Sequence, residues 1–390
     1  MRLRNSCKPA RKYILYFALA LFSLEQTWFF SDVFPFSDRV DTALRLIYFL
    51  AIAVVFLLQD YSPKMFLAYA LLGAACILTR LGSGLTFWVI SVITILALRQ
   101  EDISDVFRFL RWCLTISLLI LTLAFAVKYF QGQRQFIEID NVGRQRVRLG
   151  FLHANSLSTY FFNLMLLWVW EKYESIGPRA IAGLLLTTVA MYLLTDSRTA
   201  FLCEILLCLM IILAKYGGKA AGLLHFGARW AVPAAAVFML ACSVMWLAPN
   251  RGSFVEKVNR LLSGRVYLSA YAVKHFGFTL FGQSMPLDPV TVSPEWPKPF
   301  FTLDCAYSFF CCCIGAIWLI LICVSFYKLA KLRDPRVSIF LILWALYSVS
   351  ETITLYVFFF SPLLLISILF RPSSAEAALT DQRQPGEPLQ

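Results

Sequence analysis

Arg144-Gln-Arg-Val-Arg-Leu-Gly-Phe-Leu-His-Ala-Asn-Ser156 runs without a break into an apolar segment at 153–170. Three arginines at alternate positions stand directly before a stretch with the hydrophobicity of a membrane helix. A cation there is costly unless an anion answers it. Asn155 suits the opening of that helix, because its side chain can accept from the free N–H groups of the first turn. The stretch therefore reads as an anion-binding lip on a membrane bundle.

The rest of the chain agrees with a membrane setting. Of 390 residues, 59% are hydrophobic and only 15% charged, with a mean hydropathy of +0.71. A soluble domain cannot bury that much apolar surface, so the expected fold is all-α, a polytopic membrane protein. Strand-period alternation is absent, which disfavours an outer-membrane barrel. The net charge of +12 is partly topological, since cytoplasmic loops collect Lys and Arg, and nucleic acid is not an expected partner. The 11 cysteines sit almost entirely in apolar runs, without CxxC spacing or neighbouring histidines. They read as small residues within membrane helices, and no metal or cofactor is expected. Met1–Lys12 is basic and precedes an apolar run, but Glu25 and Trp28 stand where a cleavage site would fall, so it reads as an uncleaved first span.

About twelve apolar segments follow, near 13–30, 41–58, 65–79, 84–98, 109–127, 153–170, 180–195, 199–214, 230–248, 305–327, 337–350 and 353–370. The positive-inside rule places both termini in the cytoplasm, because Lys and Arg collect in alternate short loops. The chain then divides into N-terminal helices over 1–127, a motif-bearing part over 128–370, and a polar, disordered cytoplasmic tail over 371–390. Two long segments, 128–152 and 249–304, fall outside, and both are basic, which suits an anionic partner there. In the second, Ser253-Phe-Val-Glu256 has a capping-box pattern, and Arg265 to Phe276 reads as a helix ended by Gly277. Arg265 in a first turn opposes the helix dipole, a conflict that a bound anion would remove. Residues 286–299, with five prolines and Trp296, read as an extended flap.

In this topology every even-numbered span begins at the external face, and the polar clusters fall at those ends. They are His153-Ala-Asn155, Asp196-Ser-Arg-Thr199, Asp304-Cys-Ala-Tyr307 and Ser350-Glu351-Thr352. Converging helix N-termini with arginines added suit a highly charged anion such as a diphosphate. Plainer readings stand beside this one. Asp196-Ser-Arg-Thr199 also fits an interfacial hairpin with an Asp–Arg pair, and His153 an interfacial histidine bonded to a carbonyl. Glu351 lies between two apolar segments, where an acid costs about 2.5–3.5 kcal/mol unless paired, so an arginine partner is expected.

These residues carry a resemblance. Arg-x-Arg-Leu-Gly-Phe-Leu-His-Ala-Asn at 146–155 resembles the R-x-x-L-G-F-x-H-P-N signature of Wzy-type polysaccharide polymerases, in the O-antigen ligase and polymerase superfamily. Asp196-Ser-Arg-Thr-Ala-Phe201 is similar to their S-R-T motif, and Ser263-Gly-Arg265 and Phe281-Gly282 to two motifs of their large external loop. Leu303-Asp-Cys-Ala-Tyr307 resembles L-D-N-A-Y, and Tyr347-Ser-Val-Ser-Glu351 their terminal Y-S-x-x-E. Order and spacing match over about 140–370, whereas the first five spans match only in hydropathy. Ala154 replaces the usual proline and Cys305 the usual asparagine. The related ligases tend to carry a histidine where this chain has Asp304, which favours a polymerase.

The resemblance implies a metal-independent GT-C-type glycosyltransferase of the bacterial cell membrane. It would join undecaprenyl-diphosphate-linked oligosaccharide repeat units into capsular polysaccharide, exopolysaccharide or O-antigen, beside a flippase and a chain-length regulator of the same pathway. Arginines match phosphate geometry, and Arg146, Arg148, Arg198 and Arg265 are the expected diphosphate ligands. Asp304 or Glu351, then His153, are the expected bases. Asn155, Ser197, Trp296 and Tyr307 are expected at the sugars or the acceptor. A ligase-type glycan transferase is the nearest alternative. A lipid-linked oligosaccharide transporter is the rival class, but it should show repeat symmetry and charges near the bilayer midplane.

Overall fold

The apolar segments fold as helices whose ends gather on two opposite faces of a bundle. The computed structural model describes residues 2–34, 37–133, 136–139, 143–250, 252–286 and 302–371. In chain order these form α1 (Arg2–Phe29), α2 (Asp38–Leu57), α3 (Pro63–Ser83), α4 (Thr86–Ala97) and α5 (Ile103–Phe130). A β-hairpin follows, β1 (Ile137–Ile139) and β2 (Gln145–Val147), then α6 (Ala154–Lys172), α7 (Pro178–Thr195), α8 (Arg198–Tyr216) and α9 (Gly222–Trp246). The rest comprises α10 (Ser253–Leu261), α11 (Arg265–Phe276), α12 (Ala306–Phe309), α13 (Ala316–Ala330) and α14 (Pro335–Tyr347). Two 3-10 segments, Thr352–Leu355 and Ser361–Phe370, complete the bundle.

Local signals explain several helix ends. The Ser62, Asp102 and Asp334 side chains accept from first-turn N–H groups of α3, α5 and α14, and Pro63 and Pro335 sit where a missing N–H costs nothing. Gly84 ends α3 in the left-handed conformation. Six described helices are long and apolar enough to cross a bilayer: Asp38–Leu57, Pro63–Ser83, Ile103–Phe130, Pro178–Thr195, Arg198–Tyr216 and Gly218–Trp246. Leu57, Leu81, Leu123, Leu193 and Val237 are exposed on them, as lipid-facing side chains are. The chain has the architecture of a polytopic, all-helical membrane protein.

One face is tied together by buried charge and carbonyl contacts. Arg11 pairs with Glu101 at 2.7 Å, Arg99 donates to the Asp60 and Phe370 carbonyls, and Arg371 donates to the Glu101 carbonyl. The opposite face carries the lip. Its backbone is stitched to the end of α1: Asp32 N–H donates to the Gly150 carbonyl at 3.0 Å, and Leu152 N–H to the Phe30 carbonyl at 2.8 Å. Gly150 has φ +87°, and a Cβ there would lie 2.6 Å from Val33 Cγ2, so a side chain fits neither the backbone nor the space.

The structure departs from the sequence expectations in several places, among them the apolar stretch 353–370, which forms two 3-10 segments and a turn rather than one helical span. The segment before α6 contains a hairpin, pairing Ile137 with Val147 and Ile139 with Gln145. Helix α6 is capped by His153 and starts at Ala154, so Asn155 is its second residue rather than its cap. Ser253 is the first residue of α10, and the cap position is taken by Gly252, which has no side chain to cap with. The apolar stretch 305–327 is no single helix: α12 passes into a π-turn at Phe310–Ile314 and breaks at Gly315. There an extended stretch from the connection after α11 supplies partners for the broken ladder. Thr279 N–H donates to the Cys311 carbonyl, Gln283 N–H to Cys313, and Ala316 N–H back to Thr279. Gln283 Nε2 also donates to the Phe276 and Cys312 carbonyls, both at 2.9 Å. Much of the proline-rich stretch, with Trp296, and the tail from Pro372 lie outside the described residues.

Candidate functional site

The arginines of the lip divide between two partners, with Arg144 and Arg146 on the α7–α8 side and Arg148 on the α1 side. Arg144 pairs with Asp196 at 3.1 Å, and Arg146 Nε donates to the Thr195 carbonyl at 2.6 Å, so both grip the turn between α7 and α8. Arg148 reaches the other way, to Asp32 beyond α1, at 3.1 Å. The aspartate of the 196–199 motif is therefore paired with Arg144.

From Arg146 a chain of contacts crosses the face. Its Nη2 donates to Asn155 Oδ1, Asn155 Nδ2 lies 3.5 Å from Glu351 Oε1, and Arg265 Nη2 donates to the same oxygen at 3.1 Å. Arg265 also donates through Nε to the Ser350 carbonyl at 2.6 Å. Arg265 opens α11, and the carboxylate answering its charge against the helix dipole is Glu351. Ser350 Oγ is 3.2 Å from Thr199 Oγ1, which brings the first turn of α8 into the same set.

Asp304 stands beside this chain. Two residues on, Ala306 N–H donates to the Ser348 carbonyl, and Asp304 is close enough to act on the Glu351 charge. Burial pushes the Glu351 carboxyl up to about 7; Arg265 opposes that rise, Asp304 adds to it and Arg146 opposes it. Glu351 lies in the connection between α14 and the first 3-10 segment.

Arg146, Asn155, Asp304, Glu351 and Arg265 thus come together from four separate parts of the chain. Arg198, the first residue of α8, is exposed and has no charged or hydrogen-bond partner among the described residues. Ser197 is buried in the cap position of α8 without a side-chain capping bond. His153 is exposed at the start of α6. Arg148 belongs to the α1 edge through Asp32, apart from the central chain. Tyr307 is a correction. It is fully buried, and its hydroxyl donates to the Ala345 carbonyl at 2.7 Å, so its ring has no open face for a sugar.

Arg144, Thr199, Ser350 and Asp32 also take part in these contacts, though none is among the ligands or bases expected from the sequence. Arg144 stands directly before β2. Thr199 and Ser350 lay inside motifs whose charged members drew attention. Nothing local marked Asp32.

No family model matches the chain, and neither a curated protein nor a solved structure does.

Proposed function

We propose that this chain is a polysaccharide polymerase that joins lipid-diphosphate-linked repeat units at the extracytoplasmic face of a bacterial cell membrane. The observation that carries the reading is the convergence of Arg146 and Arg265 on Asn155 and Glu351, with Asp304 beside them and Arg198 open to solvent. A highly charged leaving group needs cations with planar, paired donors, and the arginines supply them. In the proposed step, a hydroxyl of one lipid-linked unit attacks the anomeric carbon of the reducing-end sugar of the growing chain. The bond from that carbon to the diphosphate oxygen breaks, a glycosidic bond forms, and the hydroxyl proton passes to Asp304. The lipid diphosphate leaves on the arginines. Twelve membrane segments, both termini in the cytoplasm, and an external connection between α9 and α12 belong to the same proposal, as do a flippase and a chain-length regulator as pathway partners.

Two measurements test it. A reporter active only outside the cytoplasm should be active when fused near Gly132 or Pro289 and silent near Gly218. The opposite pattern would place the site on the wrong side. A deletion strain should lose long polymer and accumulate single lipid-linked units that have already crossed the membrane. Units left facing the cytoplasm would make the protein a transporter.

The open arginine gives a sharper test. Arg198→Ala should change thermal stability by no more than about 0.5 kcal/mol, because no partner among the described residues loses a contact. Polymer formation should still fall by about ten- to over a hundredfold, the worth of one hydrogen bond to a charged group of roughly 1.5–3 kcal/mol. Arg198→Lys should rescue poorly, since a point charge does not replace a planar fork. Full activity in the lysine variant would reduce Arg198 to electrostatic steering.

A further inference from the structure

Helix α10 has three kinds of surface. Val255 is fully buried, and Val258 and Leu262 pack against the core, so positions i, i+3 and i+7 face the bundle. On the adjoining strip, Phe254 is 58% exposed and Leu261 81% exposed, seven residues apart on one line of the helix. Next around the cylinder come Lys257 and Arg260, both exposed. An exposed apolar strip flanked by cations is the arrangement of a helix lying in the plane of a membrane surface.

Its placement points the same way. Helix α9 ends at Trp246, and with the turn before it forms one of the helices long and apolar enough to cross a bilayer. The start of α11 is level with that end, since the Trp246 and Tyr267 rings lie 5.7 Å apart. Gly264 N–H donates to the Asn259 carbonyl at 2.8 Å, and Tyr267 N–H to Asn259 Oδ1 at 2.9 Å, so α10 is held at the same level. The exposed apolar side chains Val244 and Met245 at the end of α9, and Leu247 just after it, lie at the level from which α10 starts. A surface that begins against acyl chains and ends beside two cations fits one occupant, the headgroup layer of an anionic bilayer.

We propose that α10 lies in the membrane interface, with Phe254 and Leu261 entering the acyl boundary and Lys257 and Arg260 contacting lipid phosphates. Because Asn259 ties α10 to the first turn of α11, this contact sets the depth at which Arg265 is held. The lipid contact does not depend on the reaction proposed above, and its test does not use activity.

The 11 cysteines rule out thiol labelling, so a ketone-bearing residue is installed at 254, 260 or 261 of the full chain and carries a spin label. Only proteins that elute as the unlabelled protein does are reconstituted into phosphatidylcholine vesicles containing phosphatidylglycerol. Collisions with oxygen should exceed those with a water-soluble nickel chelate by severalfold at 254 and 261, and the order should reverse at 260. Nickel matching or exceeding oxygen at 254 and 261 would place the strip in water and overturn the proposal. Low access to both reagents there would show the strip covered by protein, a second copy or another part of this chain, and would overturn it equally. Lys257→Glu with Arg260→Glu should reduce the oxygen preference at 254 in phosphatidylglycerol vesicles and leave it unchanged in phosphatidylcholine alone. An unchanged preference in both would remove the lipid phosphates from the proposal.

Discussion

Arg265→Ala is expected to abolish polymer formation and to destabilise the protein in the same variant. The two losses have separate causes. Arg265 and Glu351 form a largely buried pair, with side chains 14% and 13% exposed. Removing one partner from a buried pair costs about 3–5 kcal/mol, mainly because the other charge is left without an answer. The value here should lie toward the lower end, since neither side chain is fully buried and Glu351 can take up a proton. The Ser350 and Leu262 carbonyls would lose a donor as well. Combining Arg265→Ala with Glu351→Gln should therefore recover much of the melting temperature in detergent while polymer remains absent. Recovery of both would make the arginine a scaffold for Glu351. Recovery of neither would mean that its backbone contacts, rather than its charge, hold α11 to α14.

Asp304→Asn is the second variant of large expected effect, with turnover lost and donor binding kept. Removing a general base costs about 10²–10⁴ in rate. The substitution is isosteric, so the Ala306 contact with the Ser348 carbonyl should persist. Glu351→Gln should behave differently, weakening donor binding or folding, because Glu351 orients Arg265 and accepts from Asn155. His153→Ala should be milder than either, since His153 makes no side-chain capping bond. The experiment follows polymer formation and lipid-diphosphate binding in parallel for the three purified variants, with a defined lipid-linked repeat unit. An active Asp304→Asn protein would move the base to Glu351 or His153.

The parts of the molecule that were legible in advance share a physical property: their signals are local. Ser263-Gly264 and Gly277 mark the bounds of α11 because a left-handed backbone at a helix end favours glycine. The unease of Arg265 in a first turn, and of Glu351 between apolar segments, could be read from charge placement alone. Their pairing supplies each with its counter-charge. What could not be read depends on distant neighbours. Asp32 gains meaning only from Arg148, more than a hundred residues on, and Tyr307 is buried by packing that no motif records. The break at Gly315 is invisible in hydropathy, since Phe310–Ile314 is as apolar as a helix interior. It is set by a second stretch of backbone that takes over the ladder.

That takeover bears on how the polypeptide must be connected. Gly282 packs so tightly on the break that a Cβ there would meet the Ile314 and Cys313 carbonyl oxygens at 2.7 and 2.8 Å. Backbone bonds between 279–283 and 311–317 then fasten the two sides of the 287–301 stretch directly to each other. The seam therefore fixes the position of 279–283 on the π-turn after α12 and on α13 through backbone bonds. Even one residue inserted between Thr279 and Gln283 would throw the seam out of register, since both ends of that stretch are bonded to the broken helix.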